Sequence, residues 1–411
     1  MRRISPDQAM ALLREGYAWI PNRRAALGEP AFRARLLGVP VVCVCGMEAT
    51  RRFYDEDLFV RHGALPPPVQ RTLTGVGSVH TLDGAPHRHR KSLFMPLKDP
   101  VAVKEFVERV VQEWDTGVRR WAGQDRVVLF DEAAEVLVRA VCAWAGVPLG
   151  DAYARTASRD MLAMVDGFGS VGRRHWRGRR ARRRAERHLQ DTVQRFRAGE
   201  DGAAPGSMFE HVLQHRDEQG DLLDPRLVAV ETLNVVRPAV AITWFLAFSA
   251  HALHRWPAHR ARLQGHDEAF AEAFAHEVRR FYPFAPVMGA LARRDVPWDG
   301  DVIRSGTLVL LDLFGQNHDE RLWDQPYTFR PERFLGHRPG EYDLVPQGGG
   351  DPRTGHRCPG EDFVVEALKA LVPRLARLAY EVPEQDLTIP LGPMPTRPRS
   401  GVVLSDVRPG G

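Results

Sequence analysis

Cys358 lies in QGGGDPRTGHRCPGED, a glycine-rich, cationic and polar stretch directly ahead of a strong helical pattern from Phe363 to Leu378. A thiol gains little from packing there, whereas the neighbouring charge and the positive end of a helix dipole both favour a thiolate. Glycines at 348, 349, 350, 355 and 360 allow backbone to approach the sulfur closely. The other three cysteines read differently. Cys43 and Cys45 sit in the β-like run VVCVCG and Cys142 in the apolar helical pattern VLVRAVCAWAGV, so all three read as small buried hydrophobes. Four cysteines in 411 residues do not make a disulfide framework.

Helical periodicity dominates the rest of the chain. Val101–Trp121 and Asp131–Ala145 carry apolar residues three and four apart. Asp224 followed by Pro225 has the form of an N-cap with proline at the first helical position, opening a helix that runs to about Trp256–Pro257. Strand patterns are fewer, at Val39–Val44 and Thr307–Leu311. No repeat, low-complexity linker or domain boundary interrupts the pattern. The expectation is one mainly α domain over 1–411, with a small β-rich part in the first 60 residues and around 290–312.

Charge and hydropathy exclude several classes. The net charge of +5 is small for a chain with 57 basic residues, so the basic run Arg173–Arg187 (RRHWRGRRARRRAER) is read as a solvated loop and helix start; a phosphate track would be the other use, and no nucleic-acid partner is expected. MRRISPDQAM has no apolar signal-like region. Ala239–Phe248 is shorter than the roughly 20 residues a bilayer demands. A cytoplasmic protein without a membrane span is the expectation.

Chemistry concentrates at a few places. A loop like that of Cys358 suits a haem-ligating thiolate, although an ordinary turn is its simpler use; His356 is placed to reach a haem propionate. Glu277 and Arg280 (EVRR) share a helical face and can pair, and Arg333 in FRPERFL could join them. Arg237–Pro238 interrupts the long apolar helix. Proline there removes a backbone hydrogen bond at a cost of about 3 kcal/mol. Arg237 has Leu233, Asn234, Val240 and Ala241 as helical neighbours, none of them acidic, so its partner is either a distant carboxylate or one brought by a ligand.

The order EVRR, FRPERFL, cysteine loop resembles the cytochrome P450 superfamily. That resemblance implies its mainly helical fold with a small β-rich subdomain, haem b ligated by Cys358, a structural Glu277–Arg280–Arg333 cluster beneath it, and His87 and Lys91 (HRHRK) facing the propionates. Two departures stand out: Asp351 replaces the usual phenylalanine in an expanded loop, and NVVRPAVAITW lacks the acid–alcohol pair of oxygen-activating members. VHTLDGAPHRHRKSLF, MVDGFGSVG, VVRPAVAI, FYPFAPVMGAL, LLDLFGQNHD and GHRCPGE together resemble the fatty-acid peroxygenase branch. The branch implies hydrogen peroxide as co-substrate, no required redox partner, and a fatty-acid carboxylate held by Arg237 that serves as the acid–base group beside Pro238. It implies oxidation at the α or β carbon, by hydroxylation or by decarboxylation to a terminal alkene. His80 matches the position where histidine resembles the decarboxylating members, and Phe168, Phe284 and Pro286 are candidate walls for the alkyl chain, with plain core as their other reading. A redox-partner-dependent P450 monooxygenase and a non-enzymatic haem sensor or fatty-acid carrier are the competing readings.

Overall fold

The computed structural model describes residues 1–409. Its axis is the apolar run after Asp224, whose carboxylate accepts the Arg226 N–H at 2.9 Å and starts the helix Pro225–Val240. A second helix, Ile242–Arg255, follows directly, so the single long helix expected from the sequence is two, hinged at Ala241 three residues after Pro238. Taken together, Pro225–Arg255 is long and apolar enough to cross a bilayer, which the shorter apolar stretch seen in the sequence did not suggest; yet 94% of its apolar window is buried inside the protein. It is the core of the helical bundle. Helices Leu129–Ala145, Asp151–Gly167, Arg173–Ala198, Glu268–Phe281 and Glu361–Arg377 pack around it and one another.

The main sheet has six strands, in the order Arg2–Arg3, Ala31–Leu36, Val39–Val44, Leu308–Asp312, Val287–Ala292 and Phe59–Val60. Its apolar faces form two further clusters, around Trp19, Phe32 and Cys43 on one side and Phe53, Phe59 and Trp298 on the other. A three-stranded sheet of Ala379–Glu381, Val403–Arg408 and Val127–Val128 lies outside the regions where strands were expected. Val127–Val128 and Ala379–Glu381 are too short to carry a period-2 pattern, and six-residue Val403–Arg408 was missed.

Cys43, Cys45 and Cys142 are buried, and burial pushes all three thiols up, Cys142 to about 12. The basic run is helical from Arg173 rather than a loop. Gly178, Ala181, Ala185 and Leu189 turn inward while the arginines face solvent or carboxylates such as Asp160 and Asp166.

Candidate active site

The Cys358 loop is held from several sides. The Cys358 N–H donates to the Gln347 carbonyl at 3.1 Å, and the Gln347 amide lies 3.8 Å from the sulfur. Gly348 has φ +93°, and a Cβ there would meet the Tyr54 hydroxyl at 2.6 Å, so only glycine fits. Asp351, where the family pattern has phenylalanine, accepts from the Arg353 N–H and the Thr354 hydroxyl, both at 2.8 Å; it closes the expanded turn. Lys91 donates to the Arg357 carbonyl at 2.8 Å and to that of Gly355. Two of its three protons therefore brace the loop. Burial pushes the Cys358 thiol up, against the Gly360 N–H, the Lys91 charge and the Gln347 amide. Depth thus outweighs the cationic surroundings stressed by the sequence.

Beneath the loop, Arg280 donates to both oxygens of Glu277, with Arg333 3.1 Å from the same carboxylate. Arg280 also donates to the carbonyls of Asn317 and Pro326, both at 2.8 Å. The cluster ties the Glu268–Phe281 helix to the Pro331–Phe334 turn. The sequence reading missed its neighbour Arg279, which donates to the Gln347 side chain at 3.1 Å and pairs with Glu361. Burial raises the Glu361 carboxyl, but Arg279 and Arg357 prevail and hold it down to about 2. Arg279 thereby links the helix to the amide beside the sulfur. The doubled arginine of EVRR was its only sequence signal.

Across the site stand Arg237, Pro238 and His80. Between Val228 and Ala250 Pro238 alone is not buried, although it lies mid-core. His80, in the turn Val79–Thr81, keeps much of its surface accessible while burial depresses its imidazole to about 3, helped by the charges of Arg237, His356, Lys91 and Arg182. Cys358 is likewise only half-buried. Arg237 is 7% exposed, its Nε has no hydrogen-bond partner, and among the described residues no carboxylate acts on it; burial and then Arg182 lower it to about 9, with Cys358 opposing.

The residues fit a haem. His87 and His356 stack with centroids 3.9 Å apart, and His87 Nδ1 and His356 Nε2 are buried without hydrogen-bond partners, the latter 3.6 Å from Asp83. Unpartnered ring nitrogens, able to donate in the right tautomer or when protonated, suit a planar group carrying carboxylates. Glu56 is near these histidines and would complete a metal-ligand trio, but parallel stacked rings are poorly aimed at one ion.

Phe284 packs against Phe245 and Trp244, centroids 4.9 and 6.0 Å away. Pro286 is buried, its carbonyl accepting from Leu313 at 3.1 Å, and Phe168 ends the Asp151–Gly167 helix half-buried.

The cytochrome P450 family model matches residues 269–392. Cytochrome P450 4e2 of Drosophila melanogaster is 32% identical over 117 residues, 28% of this chain, and the chain spans about a fifth of that relative (22%). Whole-chain likeness is far stronger to solved structures. Cytochrome P450SP alpha is 42% identical with a TM-score of 0.96, covering 99% of this chain and 100% of that one. Cytochrome P450 OleT, solved with arachidonic acid, is 34% identical with a TM-score of 0.96, covering 100% and 98%.

Proposed function

The chain belongs to the cytochrome P450 family, and on that premise we propose that it oxidises long-chain fatty acids with hydrogen peroxide at the α or β carbon, yielding hydroxy acids, terminal alkenes by decarboxylation, or both. The observation that carries this reading is Arg237, a buried guanidinium without a carboxylate, near enough to Cys358 for their charges to interact. A buried cation left unpaired costs several kcal/mol, so the site is built for an anion that arrives from outside.

Haem b, held by Cys358, would supply the iron chemistry for peroxide-driven oxidation of the acid. His87 and His356 would hold its propionates, with Lys91 bracing the loop and the Glu277–Arg280–Arg333 cluster supporting it from below. Arg237 pairs with the substrate carboxylate through charge-assisted hydrogen bonds and fixes its orientation. Splitting peroxide needs an acid–base group close by. The nearest acid on this helix, Glu231, is fully buried and already accepts from Arg90, Asn234 and the Val79 N–H. The substrate carboxylate is then the group that takes and returns the proton. Pinning it on Arg237 also sets the position of attack, because it would keep the first carbons of the chain toward the Cys358 side of the site. Neutral His80 offers one N–H toward the reacting end, and Pro238 gives a surface without a competing backbone donor. Phe168, Phe284 and Pro286 would border the alkyl tail. We read the chain as one domain, a soluble cytoplasmic enzyme working without a redox partner.

The test is incubation of purified holoenzyme with hydrogen peroxide and myristic acid, with products resolved by gas chromatography. Hydroxy acid or alkene formed from peroxide alone is the expected result. Turnover only with an added reductase and ferredoxin would mean a conventional monooxygenase. A spectral shift with myristic acid but no product would mean a sensor or carrier.

A further inference from the structure

We infer that Glu231 is a positioning residue for His80, fixing its turn against the helix that carries Arg237. This rests on the peroxygenase reading of the same site. Glu231 lies six residues before Arg237 on the same helix and has no exposed surface. Its Oε1 accepts the Val79 N–H at 2.9 Å and an Arg90 N–H at 3.1 Å, while Oε2 accepts the Asn234 side chain at 3.0 Å. Val79 opens the turn that presents His80. Arg90 belongs to the Gly84–Lys91 helix, which carries His87 and Lys91. Asn234 also donates to the Thr74 carbonyl at 3.0 Å, anchoring the segment that leads into the turn.

One carboxylate therefore joins the Arg237 helix, the His80 turn and the His87 helix. No other hydrogen bond from the described side chains of the Pro225–Val240 helix reaches the Val79–Thr81 backbone. Burial raises the Glu231 carboxyl while Asn234, Arg90 and the Val79 N–H oppose the rise, and as a carboxylate it makes this tie stronger than a neutral acceptor would. Burying a carboxylate is costly, and a surface turn would not need it. The cost is understandable if the imidazole must hold one place relative to the anion on Arg237, since a misplacement of about 1 Å costs on the order of a hundredfold in rate.

Two variants separate this role from mere support of the fold. Glu231→Gln removes the charge. Val79→Pro removes the N–H and exchanges the buried valine side chain for a ring of similar size; proline suits the first residue of such a turn, and Ser78 before it already has φ −70° and ψ 162°, the extended shape that proline requires of its predecessor. Both are prepared as holoenzymes and given myristic acid and hydrogen peroxide. The expected result is a fall in kcat of about tenfold with KM changed less than about twofold, and a moved alkene-to-hydroxy-acid ratio. Hydrogen exchange across residues 78–82, read by mass spectrometry, should quicken about tenfold in Glu231→Gln whether or not product forms. Unchanged exchange overturns the tie itself. Faster exchange with kcat and product ratio as in the unmodified protein overturns the positioning role. If the unmodified holoenzyme forms no product from peroxide, the peroxygenase reading falls, and this role with it.

Discussion

Arg280 grips Glu277 through two hydrogen bonds, 2.7 and 2.8 Å long, and neither side chain has any exposed surface. The pair is sealed on all sides, because the remaining guanidinium protons go to backbone carbonyls and Arg330 donates its N–H to Glu277 at 2.8 Å. Glu277→Gln keeps the shape but leaves two arginines, Arg280 and Arg333, without their shared anion. The expected loss is about 3–5 kcal/mol in urea unfolding. Haem recovered with the purified protein should fall in parallel.

How far the site could be read in advance follows from how local each signal is. Asp224–Pro225 and the Cys358 loop announce themselves within a few residues, because capping and loop closure are short-range chemistry. Glu277 with Arg280 is also a local pair. Glu231 was invisible in this way: its partners Val79 and Arg90 lie 152 and 141 residues away, and alone it looks like a surface acid on an amphipathic helix. Arg279 was hidden for the same reason, since Gln347 and Glu361 reach it only after folding. The arginine run misled by composition. Its small residues at 178, 181 and 185 keep a helical stripe that the surrounding charge obscures.

Lys91 joins the Gly84–Lys91 helix to the carbonyls of Gly355 and Arg357, and it is 4% exposed. Burial lowers its ammonium to about 8, so it gives up solvation to hold the loop. Lys91→Met keeps the aliphatic stem and removes both bonds. Haem loss to an excess of apomyoglobin should then quicken by about tenfold, in line with the loss of a charged hydrogen bond. An unchanged rate would mean that the loop is held adequately by Gln347 and Asp351.

Asp312 gives the protein a pH-dependent stability away from the site. It caps the helix Leu313–Asn317 through the Gly315 N–H, is 1% exposed, and has one oxygen without a hydrogen-bond partner. Burial raises its carboxyl to about 7, with the nearby Asp319 adding to the rise and the Gly315 N–H and Arg24 opposing it. The folded chain therefore keeps a proton that the unfolded chain releases near the ordinary carboxyl value of about 4. Stability from this group is full below about pH 4 and is lost as pH rises toward about 7. Asp312→Asn still accepts the Gly315 N–H but cannot ionise. Its urea midpoint should vary less than that of the unmodified protein between about pH 5 and pH 7.

Arg237 sets binding against stability, and the two can be measured separately. Without a ligand the guanidinium is buried, lacks a carboxylate and is repelled by Arg182, which together lower it to about 9. Arg237→Met should therefore raise the melting temperature of the fatty-acid-free holoenzyme, because it replaces an unpaired buried cation with an apolar chain of similar length. The same change should abolish the spectral response to myristic acid and reduce peroxide-driven turnover by at least about a hundredfold, while haem content stays normal. Arg237→Lys keeps the charge but not the two-pronged geometry, so it should bind the acid weakly and turn it over slowly. If Arg237→Met were less stable and yet still oxidised fatty acids, the arginine would be a structural group with a partner of its own. A gain in stability with loss of binding would identify the empty charge as the fatty acid's place.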